Sequence, residues 1–141
     1  MDLESFRQVN ESLSREDIAM LSPLQLAYVG DAVYELLVRT YLLDVNLNVN
    51  QLHKMATKYV KANAQSEIVH NIEDYLTEKE LAVVKRGRNA KSNASPKNSS
   101  LIDYKYATGF EALFGYLYLT GQYDRLLYLF NLIKNNELEI N

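Results

Sequence analysis

Three acidic residues occupy positions where a buried helix would normally carry apolar side chains. Asp31 and Glu35 lie one turn apart in the apolar stretch LAYVGDAVYELLVR, residues 26–39. Glu111 is the only charged residue in YATGFEALFGYLYLTGQY, residues 106–123. A carboxylate in apolar surroundings must be paired with a cation, protonated or bound to a metal. Each of the three is therefore a candidate for either chemistry or a buried ion pair.

The three acids differ in the partners that their own helices offer. Glu35 has a simple structural explanation, an ion pair with Arg39 one helical turn further on. Asp31 and Glu111 have no basic residue three or four positions later, so an ion-pair partner would have to come from another helix. Spacing alone leaves two interpretations open, a functional pair of carboxylates or two separate structural acids.

Glycines accompany both unpaired acids. Gly30 precedes Asp31, and Gly109 and Gly115 flank Glu111. A glycine inside a helix costs about 1 kcal/mol relative to alanine. Three such glycines indicate that the two helices pack closely, which would bring Asp31 and Glu111 together. The same pattern would arise if the glycines only allowed the two helices to cross closely and the acids had no function.

Two carboxylates without a nearby histidine or cysteine suit a hard cation. Magnesium is the expected ion, with manganese as a possible substitute, because both prefer oxygen ligands. Such an ion binds phosphate oxygens, lowers the pKa of a water molecule and stabilises charge that develops on phosphorus. The chemistry therefore indicates a phosphodiester substrate.

A basic segment precedes the helix that carries Glu111. It contains five of the fifteen lysines and arginines, with no acid from residue 85 to residue 100: Lys85, Arg86, Arg88, Lys91 and Lys97. A charge cluster is usually a solvated face. Here it lies beside the proposed carboxylate cleft, which favours contact with a nucleic-acid backbone. The net charge of −3 does not by itself indicate nucleic-acid binding.

Helix signals dominate the chain, and the expected class is all-α. Ser22, Pro23 and Gln25 form a capping box with proline at the first helical position. Helices are expected over residues 23–43, from about residue 50, and over 64–76, 78–88, 100–120 and 122–136, with a polar loop at 89–100.

Length and composition limit the number of domains and the kinds of site that the chain can contain. A chain of 141 residues fits one domain, here 1–141, with fraying expected at 1–14 and 137–141. The absence of cysteine excludes disulfides and thiolate metal sites and fits a reducing cytoplasmic location. The polar N-terminus is unlike a signal peptide, and no apolar run is long enough to span a membrane.

Two motifs resemble the ribonuclease III family. LAYVGDAVYE is similar to its signature helix, usually Leu-Glu-Phe-Leu-Gly-Asp-Ala, and FEALFGYLYL is similar to its second motif, usually Asp-x-x-Glu-Ala-Leu-Ile-Gly. With KRGRNAKS, PKN and the short chain, the resemblance is closest to the Mini-III branch, which lacks a double-stranded-RNA-binding domain. It covers residues 20–130.

The resemblance implies roles for particular residues. Asp31 and Glu111 match the acids that bind metal and support catalysis, whereas Ala27 and Thr108 stand where two further acids would be. The Mini-III branch shares this reduced set, so the number of metal ions per site stays open. Thr108, by ordering a water molecule, and Glu35, as an additional carboxylate, are weaker candidates for the metal site.

The resemblance also implies a fold, an activity and partners. The fold is the all-helical ribonuclease III endonuclease domain, a homodimer with the signature helix at the twofold axis. The implied activity is magnesium-dependent cleavage of double-stranded RNA to 5′-phosphate ends. The expected substrate is the precursor of large-subunit (23S) ribosomal RNA, with a ribosomal protein as a possible accessory. Two alternatives are a non-catalytic double-stranded RNA-binding module and a helical scaffold protein whose acids pair with arginine or lysine.

Overall fold

The protein is described by a computed structural model covering residues 3–91 and 100–135, and the regular structure in these ranges is entirely helical. The all-α class is therefore confirmed for the described part of the chain. The helices are α1 Leu3–Arg7, α2 Arg15–Met20, α3 Pro23–Leu42, α4 Val49–Val60, α5 Ala62–Ile72, α6 Glu78–Arg88, α7 Leu101–Leu119 and α8 Tyr123–Asn135, with a 3₁₀ turn at Glu73–Tyr75. None of the described helices is both long and apolar enough to cross a membrane.

Local capping groups set the starts of the main helices. The Ser22 hydroxyl accepts a hydrogen bond from the Gln25 amide, and the Gln25 side chain accepts one from the Ser22 amide. Thr77 and Glu80 make the same reciprocal pair at the start of α6. Each capping box satisfies backbone N–H groups that the first helical turn leaves unpaired. These starts agree with the sequence prediction.

Helix α7 lies at the centre of the molecule, packed against α3, α5 and α6. Phe110 and Phe114 are fully buried in it, and both make edge-on contacts with the buried ring of Tyr34 on α3. The Tyr34 hydroxyl donates to the carbonyl oxygen of Tyr59 at 2.9 Å, which ties α3 to α4. The core therefore forms around the helix that carries Glu111.

Glycines set the crossing of α3 and α7. A Cβ atom at Gly30 would overlap the carbonyl oxygen of Glu111 and would lie 2.6 Å from the backbone nitrogen of Gly115. A Cβ atom at Gly115 would overlap the carbonyl oxygen of Leu26. The two backbones are thus in direct contact at Gly30 and Gly115, as predicted. The prediction is wrong for Gly109, because that glycine packs against the backbone of Val84 on α6 and not against α3.

The N-terminal segment is more ordered than the sequence suggested. Fraying was expected over residues 1–14, yet α1 occupies Leu3–Arg7. Arg7 donates to the carbonyl oxygen of Leu119 at 2.8 Å and to the Tyr123 hydroxyl at 2.6 Å. The guanidinium therefore satisfies a carbonyl group at the end of α7 and anchors α1 there. The expected fraying at 137–141 lies outside the described residues.

Candidate active site

The carboxyl groups of Asp31 and Glu111 lie side by side at the α3–α7 crossing. Asp31 directly follows Gly30, and Glu111 lies one turn before Gly115, so both side chains leave the point where the backbones touch. The two groups are within hydrogen-bonding reach of each other. Asp31 is exposed to solvent, whereas Glu111 is half-buried. The pair therefore has one inner and one outer carboxyl group.

The surroundings of Glu111 favour its protonated form when no cation is present. Burial, followed by the charge of Asp31 and the hydrogen bond with it, raises the pKa of Glu111 to about 8. The charge of Glu35 raises this pKa further, whereas a hydrogen bond from Gln65 lowers it. A divalent cation between the two carboxylates would replace this repulsion by attraction.

This arrangement makes stability depend on pH. The folded pKa of Glu111, about 8, lies above the ordinary value of 4.5, so the folded state binds more protons than the unfolded state between these values. Without metal, the free energy of unfolding contributed by this group should therefore fall as the pH rises from about 4.5 to about 8. Urea denaturation in a chelator at pH 5 and at pH 8.5 measures the effect.

Glu111→Gln is the matched variant for this measurement, because the amide keeps the shape of the side chain and cannot ionise. It should be more stable than the wild type at pH 8.5 and should lose less stability between the two pH values. Parallel behaviour of the two proteins would show that Glu111 has an ordinary pKa in the folded state.

Gln65, which the sequence analysis missed, contacts the pair from α5. Its Nε2 donates to the carbonyl oxygen of Val60 at 3.0 Å and to Oε2 of Glu111 at 3.5 Å. The available signal was a glutamine on an apolar helix face, between Ala64 and Ile68. A glutamine buried on such a face needs hydrogen-bond partners, and the sequence does not show which residues supply them.

The weaker candidates have partners of their own. Glu35 forms the ion pair with Arg39 that spacing predicted, at 2.8 Å. The Thr108 hydroxyl donates to the carbonyl oxygen of Tyr104 in its own helix at 3.1 Å. The structure thus brings together Asp31 and Glu111, and it gives Glu35 and Thr108 other contacts.

The oxygen donors of this pair fit magnesium. Across residues 3–91 and 100–135, no group of three or more histidine, cysteine, aspartate or glutamate side chains is arranged to hold a metal. Magnesium does not need such a group, since it commonly uses one or two carboxylates and keeps several waters. The exposed Asp31 leaves room for waters and for a phosphate group.

The basic residues lie mainly on a helix. Lys85, Arg86 and Arg88 belong to the last turn of α6, and Lys91 follows it, whereas Lys97 lies outside the described residues. The first three members therefore lie in the helix that was predicted over 78–88, and the helical hydrogen bonds continue to Asn89. Lys85, Arg86 and Lys91 are exposed.

Arg88 is held more firmly than its neighbours. Its guanidinium carbon lies 5.6 Å from the ring centre of Tyr106, and Nη1 lies 3.5 Å from the Tyr106 hydroxyl. Since Tyr106 is on α7, this contact links the basic turn of α6 to the helix that carries Glu111.

The family model of the ribonuclease III domain matches residues 24–122, which include α3, α7 and both carboxylates. The chain belongs to the ribonuclease III family. Several relatives within this family are named Mini-ribonuclease 3. The protein of that name from Clostridium tetani is 48% identical over 129 residues, covering 90% of this chain and 85% of the relative. The one from a Thermoanaerobacter species is 53% identical over 122 residues, covering 86% of each. The resemblance to the Mini-III branch is thereby confirmed.

A solved structure shares the ribonuclease III-like fold of this chain. The X-ray crystal structure of a Fusobacterium nucleatum protein superposes with a TM-score of 0.78 at 34% identity, covering 86% of this chain and 98% of that one. The helical arrangement around the α3–α7 crossing therefore belongs to a fold that crystallography has described.

Proposed function

We propose that this ribonuclease III-family chain is a magnesium-dependent endoribonuclease in which Asp31 and Glu111 together bind the cation. Endonucleolytic action on double-stranded RNA follows from family membership. The observation that supports the cation site is the pair of adjacent carboxyl groups at the glycine crossing. In the described part of the chain, the salt bridges involve other acids: Glu4, Glu35 and Glu80.

Asp31, Glu111 and the glycine crossing have different roles in the proposed site. A magnesium ion, when bound, would supply an activated water and stabilise the charge that develops on the scissile phosphate. Glu111 provides a fixed ligand, since its helix is buried on nearly every side. Asp31 provides the ligand that faces solvent, where the RNA backbone can approach. The glycine crossing sets the distance between these two ligands.

Contact with RNA is assigned to the basic turn of α6 and the residues after it. A-form RNA is recognised through its shape, phosphates and 2′-hydroxyls, so cationic side chains near the cleft are expected to supply much of the affinity. Lys85, Arg86, Arg88, Lys91 and Lys97 are the proposed contacts, with Lys97 resting on the sequence alone.

Replacing Arg86 and Arg88 together with glutamine should weaken binding to duplex RNA of any sequence. Each lost phosphate contact reduces the slope of log affinity against log salt concentration by about one unit. Filter binding at several salt concentrations measures both effects. Lys79→Gln, at the opposite end of α6, is the control and should leave the slope unchanged. A double variant with the wild-type slope would remove these arginines from the RNA interface.

An exposed apolar face supports a homodimer. Val29, Ala32, Val33 and Leu36 of α3 line a cavity of about 260 Å³ together with residues of α1, α7 and α8. Leu36 is 58% exposed. A second copy would cover this face, and a twofold dimer could present one site to each strand of a duplex. Sedimentation velocity tests this, because a purely monomeric species would contradict it.

We further propose the substrate and setting that the Mini-III resemblance implies. These are the precursor of 23S ribosomal RNA, cleavage that leaves 5′-phosphates, a cytoplasmic location and a ribosomal protein that presents the RNA. Manganese is expected to replace magnesium. Support for these proposals comes from the family relationship, whereas the site geometry supports only the cation-dependent chemistry.

The direct test is incubation of purified protein with duplex RNA in magnesium and in a chelator. Cleavage in magnesium alone is expected. RNA retention without products in either buffer would instead favour the non-catalytic binding module, an alternative consistent with Ala27 and Thr108 in place of acids. The absence of both retention and products would favour the scaffold protein.

A further inference from the structure

Gln65 is a buried polar side chain whose amide is only partly satisfied. It is 1% exposed, and the other buried residues of α5 are apolar except for Ser66. Burying an amide is unfavourable unless hydrogen bonds replace those with water. Its Nε2 has two acceptors, the Val60 carbonyl at 3.0 Å and Glu111 Oε2 at 3.5 Å. Its Oε1 is buried without a hydrogen-bond partner within the described structure.

The two acceptors fix the orientation of this amide. Exchanging its nitrogen and oxygen would place the oxygen against two other oxygens, so only one orientation is compatible with both contacts. Val60 is the last residue of α4, where helical carbonyl groups lack partners within the helix. Gln65 is thus anchored at the α4–α5 junction, and its second N–H points at Glu111.

A purely structural link would not need these features. Tyr34 shows such a link, since its hydroxyl donates to the carbonyl of Tyr59 at 2.9 Å. A methionine at position 65 would fill similar space and would leave no oxygen unpaired. The contact with Glu111 and the unsatisfied Oε1 therefore distinguish Gln65 from a residue that only joins α4 to its neighbours.

We propose that Gln65 is a positioning residue of the cation site, holding Oε2 of Glu111 so that the carboxylate can share the ion with Asp31. The inference rests on the proposed function. Groups that hydrogen-bond to metal ligands orient them, and replacing such groups typically weakens metal binding by about 10–100-fold. Gln65 thus acts through Glu111, and contact with RNA is not required for its effect.

The test is manganese binding by the full chain, followed by electron paramagnetic resonance. Gln65→Met should bind Mn²⁺ about 10-fold more weakly than the wild type, or worse. Its cleavage should require correspondingly more magnesium and should approach the wild-type rate at saturation. Tyr34→Phe also loses a hydrogen bond to a backbone carbonyl of α4, so it is the matched control and should retain wild-type affinity for Mn²⁺.

The possible failures are distinguishable. Wild-type affinity in a folded Gln65→Met protein would overturn the role of Gln65 and leave the cation site intact. If the wild type binds Mn²⁺ no more strongly than Asp31→Asn does, the proposed cation site is wrong. The inference about Gln65 then fails as well. If Tyr34→Phe lost as much affinity for Mn²⁺ as Gln65→Met, Gln65 would be only a structural link between α4 and its neighbours.

If the Gln65→Met protein does not fold, Gln65→Glu provides a second test of the proposal. A third carboxylate beside Glu111 should destabilise the metal-free protein, and magnesium should relieve that repulsion. The rise in melting temperature on adding magnesium should therefore exceed that of the wild type. An equal rise would show that the side chain at position 65 does not interact with the Glu111 carboxylate, and would overturn the proposal.

Discussion

Replacing Asp31 with asparagine should abolish cleavage of double-stranded RNA while the protein stays folded and continues to bind RNA. Asparagine keeps the size of the side chain but removes one of the two anionic ligands of the proposed cation site. A rate reduction of at least about 10³-fold is expected, equivalent to about 4 kcal/mol of lost transition-state stabilisation. Single-turnover cleavage at saturating magnesium measures the loss.

The same substitution should not destabilise the metal-free protein. Asp31 raises the pKa of Glu111 through its negative charge and its hydrogen bond, so the neutral amide relieves repulsion at neutral pH. Asp124→Asn is the matched control, because this exposed aspartate lies in the first turn of α8, a helix without a candidate ligand. Cleavage by Asp31→Asn within tenfold of the control would rule out Asp31 as a required ligand.

Replacing Gly30 with alanine should reduce both the stability and the activity of the protein. Alanine normally stabilises the middle of a helix by about 1 kcal/mol relative to glycine. Here the added Cβ would overlap the Glu111 carbonyl oxygen, so α3 and α7 must separate. A loss of about 3 kcal/mol or more in the free energy of unfolding is expected, since overpacking outweighs helix propensity.

The loss of activity should accompany the loss of stability, because the displaced contact is also the one that sets the distance between the two carboxylates. Urea denaturation and cleavage assays below the unfolding transition measure the two effects. Thr40→Ala, at an exposed position of the same helix, is the control and should change stability by less than about 0.5 kcal/mol. A Gly30→Ala protein as stable as the wild type would contradict the tight crossing.

Local signals account for the features of the fold that the sequence predicted. Ser22, Thr77 and Ser100 each cap a helix through residues three positions later, so the information lies within a few residues of the chain. The approach of Asp31 to Glu111 was also predictable in outline. Glycines inside two apolar helices indicate close packing, although they do not specify which side chains will touch.

Long-range contacts account for what the sequence did not reveal. Arg7 reaches the carbonyl of Leu119 across 112 positions of the chain, so an apparently frayed terminus forms a helix. Glu80 caps the start of α6, and its buried carboxylate also forms an ion pair with Arg125, 45 positions later, at 2.8 Å. Gln65 has no charge and belongs to no motif, so only the folded arrangement reveals its contact with Glu111.

The central claim is that Asp31 and Glu111 bind one divalent cation between them. Anomalous diffraction from crystals of the protein soaked in manganese locates such an ion directly. The expected result is a peak within about 2.2 Å of a carboxylate oxygen of each residue, the distance typical of small hard cations. A peak bound to other side chains, or a fully soaked crystal without a peak at this pair, would contradict the proposed site.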